Sequence, residues 1–231
     1  MTQVVAFSGG KDSTATALLM HERGEDFELL FTPTGNELPA LGAHMAAVVA
    51  KVGKWLILSP NRSLAEWIAH FDALPNNRQR WCTRLIKIEP CVAYLKAHPG
   101  ITLCIGLRSD EETRQGLYGE HATYRYPLRE AGMDLAAVLA LCERHDLLPG
   151  FRTDCAVCPY QRLIEWYALW RDHLDMWMEG EAWEEQVGHT FRSPSRDSWP
   201  ASMKEMRTRF EAGEIPKRSK PREQACRVCS L

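Results

Sequence analysis

Residues 3–14, Gln-Val-Val-Ala-Phe-Ser-Gly-Gly-Lys-Asp-Ser-Thr, join a short apolar run to a pair of glycines and then to a helical pattern. Val4, Val5, Ala6 and Phe7 read as a buried strand, Gly9 and Gly10 permit backbone angles that side chains forbid, and Asp12 or Ser13 can cap the helix that begins there. Ala15, Leu18 and Leu19 then recur at helical spacing. A helix entered this way turns its unsatisfied N–H groups and the positive end of its dipole toward the glycine turn. Lys11 adds a mobile cation, so the natural occupant is a phosphate or pyrophosphate. The turn is not the Walker-type loop, because Val5 stands where that pattern needs its first glycine and Asp12 follows the lysine.

Beyond the loop, apolar runs alternate with helical patterns. Strands are expected near 3–7, 27–32, 55–58 and 101–106, and helices over 13–23, 38–52, 63–71 and 84–97. Such alternation predicts an α/β fold with a parallel twisted sheet and flanking helices, whose ligands bind at the carboxyl ends of the strands. After about residue 132 the pattern turns mainly helical. Leu135, Val138, Leu139 and Cys142 make one apolar face; Leu163, Trp166, Trp170, Leu174 and Trp177 make another, read as core rather than as a platform for bases. The expected organisation is a nucleotide-binding core over 1–130, a helical region over 131–212 and a basic tail over 213–231.

With 28 basic and 30 acidic residues the formal charge is 28 − 30 = −2, so no global basic field announces a nucleic acid. No charged-then-apolar leader and no bilayer-length apolar run are seen, so the expected location is cytoplasmic, without a membrane partner. Eight cysteines in such a chain point to thiols, metal ligands or redox groups rather than disulfides. Cys91, Cys104 and Cys142 fall on apolar faces and read as core. Cys82, the pair Cys155 and Cys158, and the pair Cys226 and Cys229 lie among glycine, proline and charged residues. The Cys-x-x-Cys spacing lets two thiolates reach one metal, and four such sulfurs suit tetrahedral zinc or an iron–sulfur cluster. The eight histidines form no metal-type pair, and Lys217, Arg218, Lys220, Arg222 and Arg227 read as a solvated tail.

The Ser8-Gly9-Gly10-Lys11-Asp12-Ser13 loop resembles that of the PP-loop ATP pyrophosphatases, which cleave ATP between the α and β phosphates. Thr34-Gly35-Asn36-Glu37, the run from Cys82 to Pro90, the run from Gly106 to Arg114 and Cys155-Ala156-Val157-Cys158-Pro159 narrow the likeness. Together they resemble the phosphoadenosine phosphosulfate (PAPS) reductase family, and in keeping the full loop the chain is similar to its phosphorothioation-type members. In cluster-bearing adenylylsulfate reductases of that family, a Cys-Cys pair ahead of a lysine joins a later Cys-x-x-Cys around a 4Fe-4S cluster. Cys82 keeps the first position of that pair relative to Lys87, and Thr83 takes the place of the second cysteine. Three ligands therefore map onto Cys82, Cys155 and Cys158; the fourth would come from Cys226 or Cys229, or an iron would stay open.

The resemblance implies ATP contacts from Ser8, Gly9, Gly10, Lys11, Asp12, Ser13, Thr14, Thr34, Gly35, Gly106, Arg108 and Arg114. It places Lys11, Asp12, Lys87 and Arg108 at the reaction, with Lys87, Arg108 and Arg114 facing phosphate or sulfate. Asp110 and Glu111 either help hold Mg²⁺ or cap a helix. Pro33 departs from the family, which often has Asp before Thr-Gly, and the final Cys-Arg-Val-Cys-Ser-Leu departs from the nucleophile-bearing Glu-Cys-Gly-Leu-His type. The implied activity is ATP cleavage to AMP and pyrophosphate, activating an acceptor for sulfur transfer. Two alternatives stay open: reduction of PAPS or adenylylsulfate with Cys226 or Cys229 as nucleophile, and a non-catalytic nucleotide-binding subunit with structural zinc. Partners implied are a sulfur donor protein or thioredoxin-like reductant and an acceptor that is nucleic acid or small molecule; self-association is left open.

Overall fold

A computed structural model describes residues 2–59, 61–76, 78–111 and 118–217. Five parallel strands, β1 (Gln3–Ala6), β2 (Glu28–Phe31), β3 (Leu56–Leu58), β4 (Thr102–Cys104) and β5 (Thr123–Arg125), line up in the order β3-β2-β1-β4-β5. Chain order runs outward from β1 on one side and from β4 on the other, so the topological switch point lies between them. Register pairs Val4 with Glu28 and Leu103, and Val5 with Leu29 and Cys104.

Side chains alternate across the sheet, and both faces are apolar, as a parallel sheet covered on both sides requires. Val5, Leu29 and Cys104 join one core with α1 (Lys11–Glu22), α2 (Pro39–Val52) and α6 (Leu135–Arg144). Val4, Leu30 and Leu103 join Cys91 and Leu95 of α4 (Glu89–Ala97) on the other face. A third cluster is built by α3 (Leu64–Phe71), α7 (Leu163–Asp172), α8 (Leu174–Val187) and α9 (Met203–Glu211), around Trp166 and Trp177, both fully buried. The two tryptophans are core, as are Cys91, Cys104 and Cys142. Because α6 belongs to the first cluster and α3 to the third, the cores interleave along the chain.

Three local features differ from the sequence expectation. The short strand β5, Thr-Tyr-Arg, was not among the expected strands; three half-polar residues at a sheet edge carry no apolar run. The expected helix over 84–97 opens instead with a π-helical turn, Thr83–Ile88, before α4. Pro90 has no N–H to give the carbonyl of Ile86, and the Asn61 side-chain amide takes that carbonyl at 2.7 Å. The wider turn closes with Glu89 N donating to Arg84 O. Finally, the apolar stripe from Leu163 to Trp177 breaks at His173 between α7 and α8, which leaves Leu174 52% exposed. No helix among the described residues is long and apolar enough to cross a membrane.

Candidate functional site

β1 ends in the glycine loop, and α1 begins immediately after it. The N-cap is Gly10, in extended conformation and without a side-chain cap, so the cap expected from Asp12 or Ser13 is not formed. Ser13 instead folds back: its Oγ donates to Gly10 O at 3.0 Å and accepts from Ser8 N at 3.2 Å, while Ser8 Oγ lies 3.2 Å from it. The N–H groups of the first turn have no acceptor in their own helix and stay available for a ligand. Gly9 takes φ +69°, and a Cβ there would stand 2.5 Å from Leu41 Cδ1, so the loop is pressed onto α2.

Around this loop lies a cavity of about 510 Å³, within the ~300–1,000 Å³ of small-molecule sites. Ser8, Gly10, Lys11, Asp12 and Ser13 form one wall. The end of β2 contributes Phe31, Thr32, Thr34 and Glu37, and the π-helical turn contributes Thr83 and Lys87. Gly106 lines it after β4; a Cβ there would stand 2.9 Å from Asp12 O, so this strand end abuts the first turn of α1. The far wall is a strap, residues 148–155, with Arg152, Thr153, Asp154 and Cys155 on the cavity. Thr153 Oγ1 lies 3.2 Å from the Cβ position of Gly10, so the strap crosses directly over the loop.

The charges form a relay. Lys11 Nζ meets Asp12 Oδ2 at 2.6 Å, and Asp12 Oδ1 meets Arg108 Nη1 at 3.1 Å. Arg108 is 2% exposed and does not line the cavity, unlike the oxyanion contact expected of it. Its Nε and Nη2 bind Asp110 at 2.8 and 3.1 Å, and Glu111 Oε2 stands 3.8 Å from Nη1. Burial works against its charge, but the bonds to Asp110 and Asp12 prevail and raise its pKa; the same bond to Arg108 holds Asp110 below the usual carboxylate range. Asp110 and Glu111 lie in a short 3₁₀ turn, Ser109–Glu111. Thr14 faces the core, 3.1 Å from His44 Nε2, where burial lowers the histidine pKa.

Of the three candidate thiols, Cys155 lines the cavity, while Cys82 and Cys158 do not. The turn at Thr34 is tied by Glu37, which accepts from Thr34 N and Oγ1 at 2.6 Å and from Gly35 N at 3.0 Å. Gly35, at φ +73°, packs against Ser63 rather than lining the cavity. Cys155 Sγ donates to Thr34 Oγ1 at 3.3 Å, and Asn36 accepts from Ala156 N at 2.8 Å and Val157 N at 3.2 Å. Cys82 lies within electrostatic reach of Cys155, and both feel Lys87. Burial raises all three thiols, Cys158 to about 12, only partly offset for Cys82 and Cys155 by the lysine charge. These soft donors suit zinc or an iron–sulfur cluster in kind, but among the described residues no three of His, Cys, Asp or Glu are arranged to hold a metal ion. Arg114, Cys226, Cys229 and the basic residues 218–227 lie outside the described residues. Arg152, Thr153, Tyr160 and Glu165 were not among the residues expected at the site; the one sequence signal was Arg152-Thr153-Asp154 standing directly before Cys155.

A glycine loop and free helix N-terminus at the switch point of a β3-β2-β1-β4-β5 parallel sheet define an α/β protein of the nucleotide-binding type. The phosphoadenosine phosphosulfate reductase domain profile matches residues 2–118, half of the chain, and the chain belongs to that family. An uncharacterized protein of Methanocaldococcus jannaschii is 30% identical over 113 residues, 48% of this chain and 27% of the relative. The chain thus matches about a quarter of the length of its curated relatives. The PAPS reductase of Candida auris, solved as a phosphate complex, superposes with TM-score 0.50 at 17% identity, over 64% of this chain and 73% of that one, and shares the fold. The U34-tRNA thiolase NcsA of Methanococcus maripaludis, solved with its 4Fe-4S cluster, gives TM-score 0.46 at 15% identity, over 100% and 80% of the two chains.

Proposed function

We propose that this protein binds ATP in the cavity and cleaves it to AMP and pyrophosphate, adenylylating an acceptor oxygen that sulfur then replaces. The observation that carries the reading is one cavity lined both by an intact glycine loop with Lys11 and by Cys155 with Lys87, whose charge reaches that thiol. The first-turn N–H groups and Lys11 would take up the charge growing on the departing pyrophosphate. Asp12 holds Lys11 in place and is itself held by Arg108. Mg²⁺ would arrive on the triphosphate, with Asp12 and Glu111 among the carboxylates on the wall. The Lys87 charge favours the thiolates of both Cys82 and Cys155, though burial still leaves both thiols raised. Cys82, Cys155 and Cys158 are the described soft donors that a cluster or zinc would draw on; binding would have to gather them, since no three ligands among the described residues surround one ion, and a cluster so held would supply sulfide.

The test starts from anaerobically prepared protein. Labelled ATP is expected to give AMP and pyrophosphate, with a loss of about 10²-fold or more in Lys11→Ala, the scale of one preorganised donor. Iron and sulfide in the same preparation support sulfur transfer, whereas a colourless protein holding only zinc would exclude it. Membership of the PAPS reductase family favours one second reading: release of sulfite from PAPS without ATP turnover would replace the proposal with reduction.

A further inference from the structure

Two guanidinium groups stand near the loop in opposite surroundings. Arg108 is 2% exposed, with Nε and Nη2 on Asp110 and Nη1 on Asp12, so an incoming oxyanion would have to displace a carboxylate. Arg152 belongs to the strap across the cavity, and its side chain is 16% exposed. Its Nη2 donates to Cys155 O at 3.0 Å and stands 3.4 Å from Asp154 Oδ2, while its buried Nη1 has no hydrogen-bond partner among the described residues. A guanidinium N–H pair left without an acceptor is a standing penalty that an oxyanion relieves when the fork turns from its shielded position toward the cavity. The next residue fixes where that oxyanion would be, because Thr153 lies against Gly10 at the start of α1.

We propose that Arg152 is the second oxyanion contact of the nucleotide site, gripping a non-bridging oxygen of the polyphosphate beyond the α-phosphate from the wall facing the loop. Arg108 then acts on the ligand only through Asp12. The inference rests on the nucleotide reading of the cavity and deepens it: the site would tell a nucleoside polyphosphate from a monophosphate by a planar fork that matches phosphate oxygens. Asp154 balances part of the Arg152 charge before the ligand arrives.

Calorimetric titration of the full chain with ATP, inorganic pyrophosphate and AMP separates the possibilities. Arg152→Ala is expected to weaken ATP and pyrophosphate by about 10- to 100-fold, the scale of one charge-assisted hydrogen bond, while AMP stays within about twofold. Arg152→Lys, which keeps the charge and loses the fork, should recover part of the loss. Arg152→Gln keeps an amide donor for Cys155 O and should weaken ATP as alanine does, which separates loss of the ligand contact from loosening of the strap. Equal weakening of AMP and ATP in Arg152→Ala, unchanged ATP affinity, or full rescue by glutamine would each overturn the assignment of Arg152 and leave the nucleotide site standing. Failure of the unaltered protein to bind either ATP or pyrophosphate would overturn the nucleotide reading itself, and this inference with it.

Discussion

Replacing Arg108 by alanine removes a guanidinium that is 2% exposed and leaves behind the three carboxylates gathered around it. Glu111 is 6% exposed and Asp12 19%, so both lose a partner in a setting where water compensates poorly. Breaking a buried pair from one side costs about 3–5 kcal/mol. Asp110 is 44% exposed and adds little, because solvent screens it. For a chain of this length, where 1 kcal/mol moves the melting midpoint by about 2–4 °C, the loss corresponds to about 6–20 °C. The pH dependence has a definite sign. Arg108 holds the Asp110 carboxyl below 3.8, so in the unaltered protein this pair stabilises above that pH and is lost as pH falls through the lower folded value. In Arg108→Ala that lowering of the Asp110 carboxyl is gone, so the gap to the unaltered protein narrows as pH falls from 5 to 3. Urea unfolding at the two pH values measures both effects. A loss under about 1 kcal/mol, or one that is the same at both pH values, would refute the reasoning that the fork is held by the cage.

Two further perturbations concern other contacts. Glu184 is 6% exposed and accepts from Phe191 N at 3.0 Å and Met203 N at 2.7 Å, and burial lifts it from 4.5 to about 7. A raised folded value means stability fully present below 4.5 and lost as pH rises through about 7, by about 3 kcal/mol at most; Glu184→Gln should flatten denaturation midpoints between pH 5 and 8, and an unchanged slope would exclude Glu184 as the source. Asn61→Ala strips the carbonyls of Ile86 and Pro33 of a shared donor and is expected to cost about 1–3 kcal/mol, with faster amide exchange confined to residues 83–90 if the amide maintains the π-helical turn.

The sequence made the loop legible because everything that shapes it is local: an apolar run, two glycines and a helix within 3–19. It also made the cysteine sorting legible, since Cys91, Cys104 and Cys142 lie on apolar faces and are only 4%, 0% and 0% exposed. What it hid depends on residues far apart in the chain. Pro90 advertises a missing donor, but the amide that replaces it comes from Asn61. Asp110 and Glu111 stand beside Arg108 in sequence, yet the third carboxylate is Asp12, and only the meeting of β4 with α1 shows that the cage is closed. Arg152 reads as one arginine among many until the strap is seen to pass over Gly10.

That strap has a thermodynamic corollary. Through Thr153 it leans on the glycine loop, and two to four residues later the same segment is bonded to the turn at Thr34 and Asn36 by Cys155, Ala156 and Val157. Loop occupancy and thiol chemistry therefore share a lever arm of a few peptide units. If a ligand at Gly10 changes the affinity of the thiols for a soft metal by some factor, metal at the thiols must change the affinity of the loop by the same factor. The glycine loop and the thiols are thus expected to behave as conjugate sites, each a gauge of what the other holds.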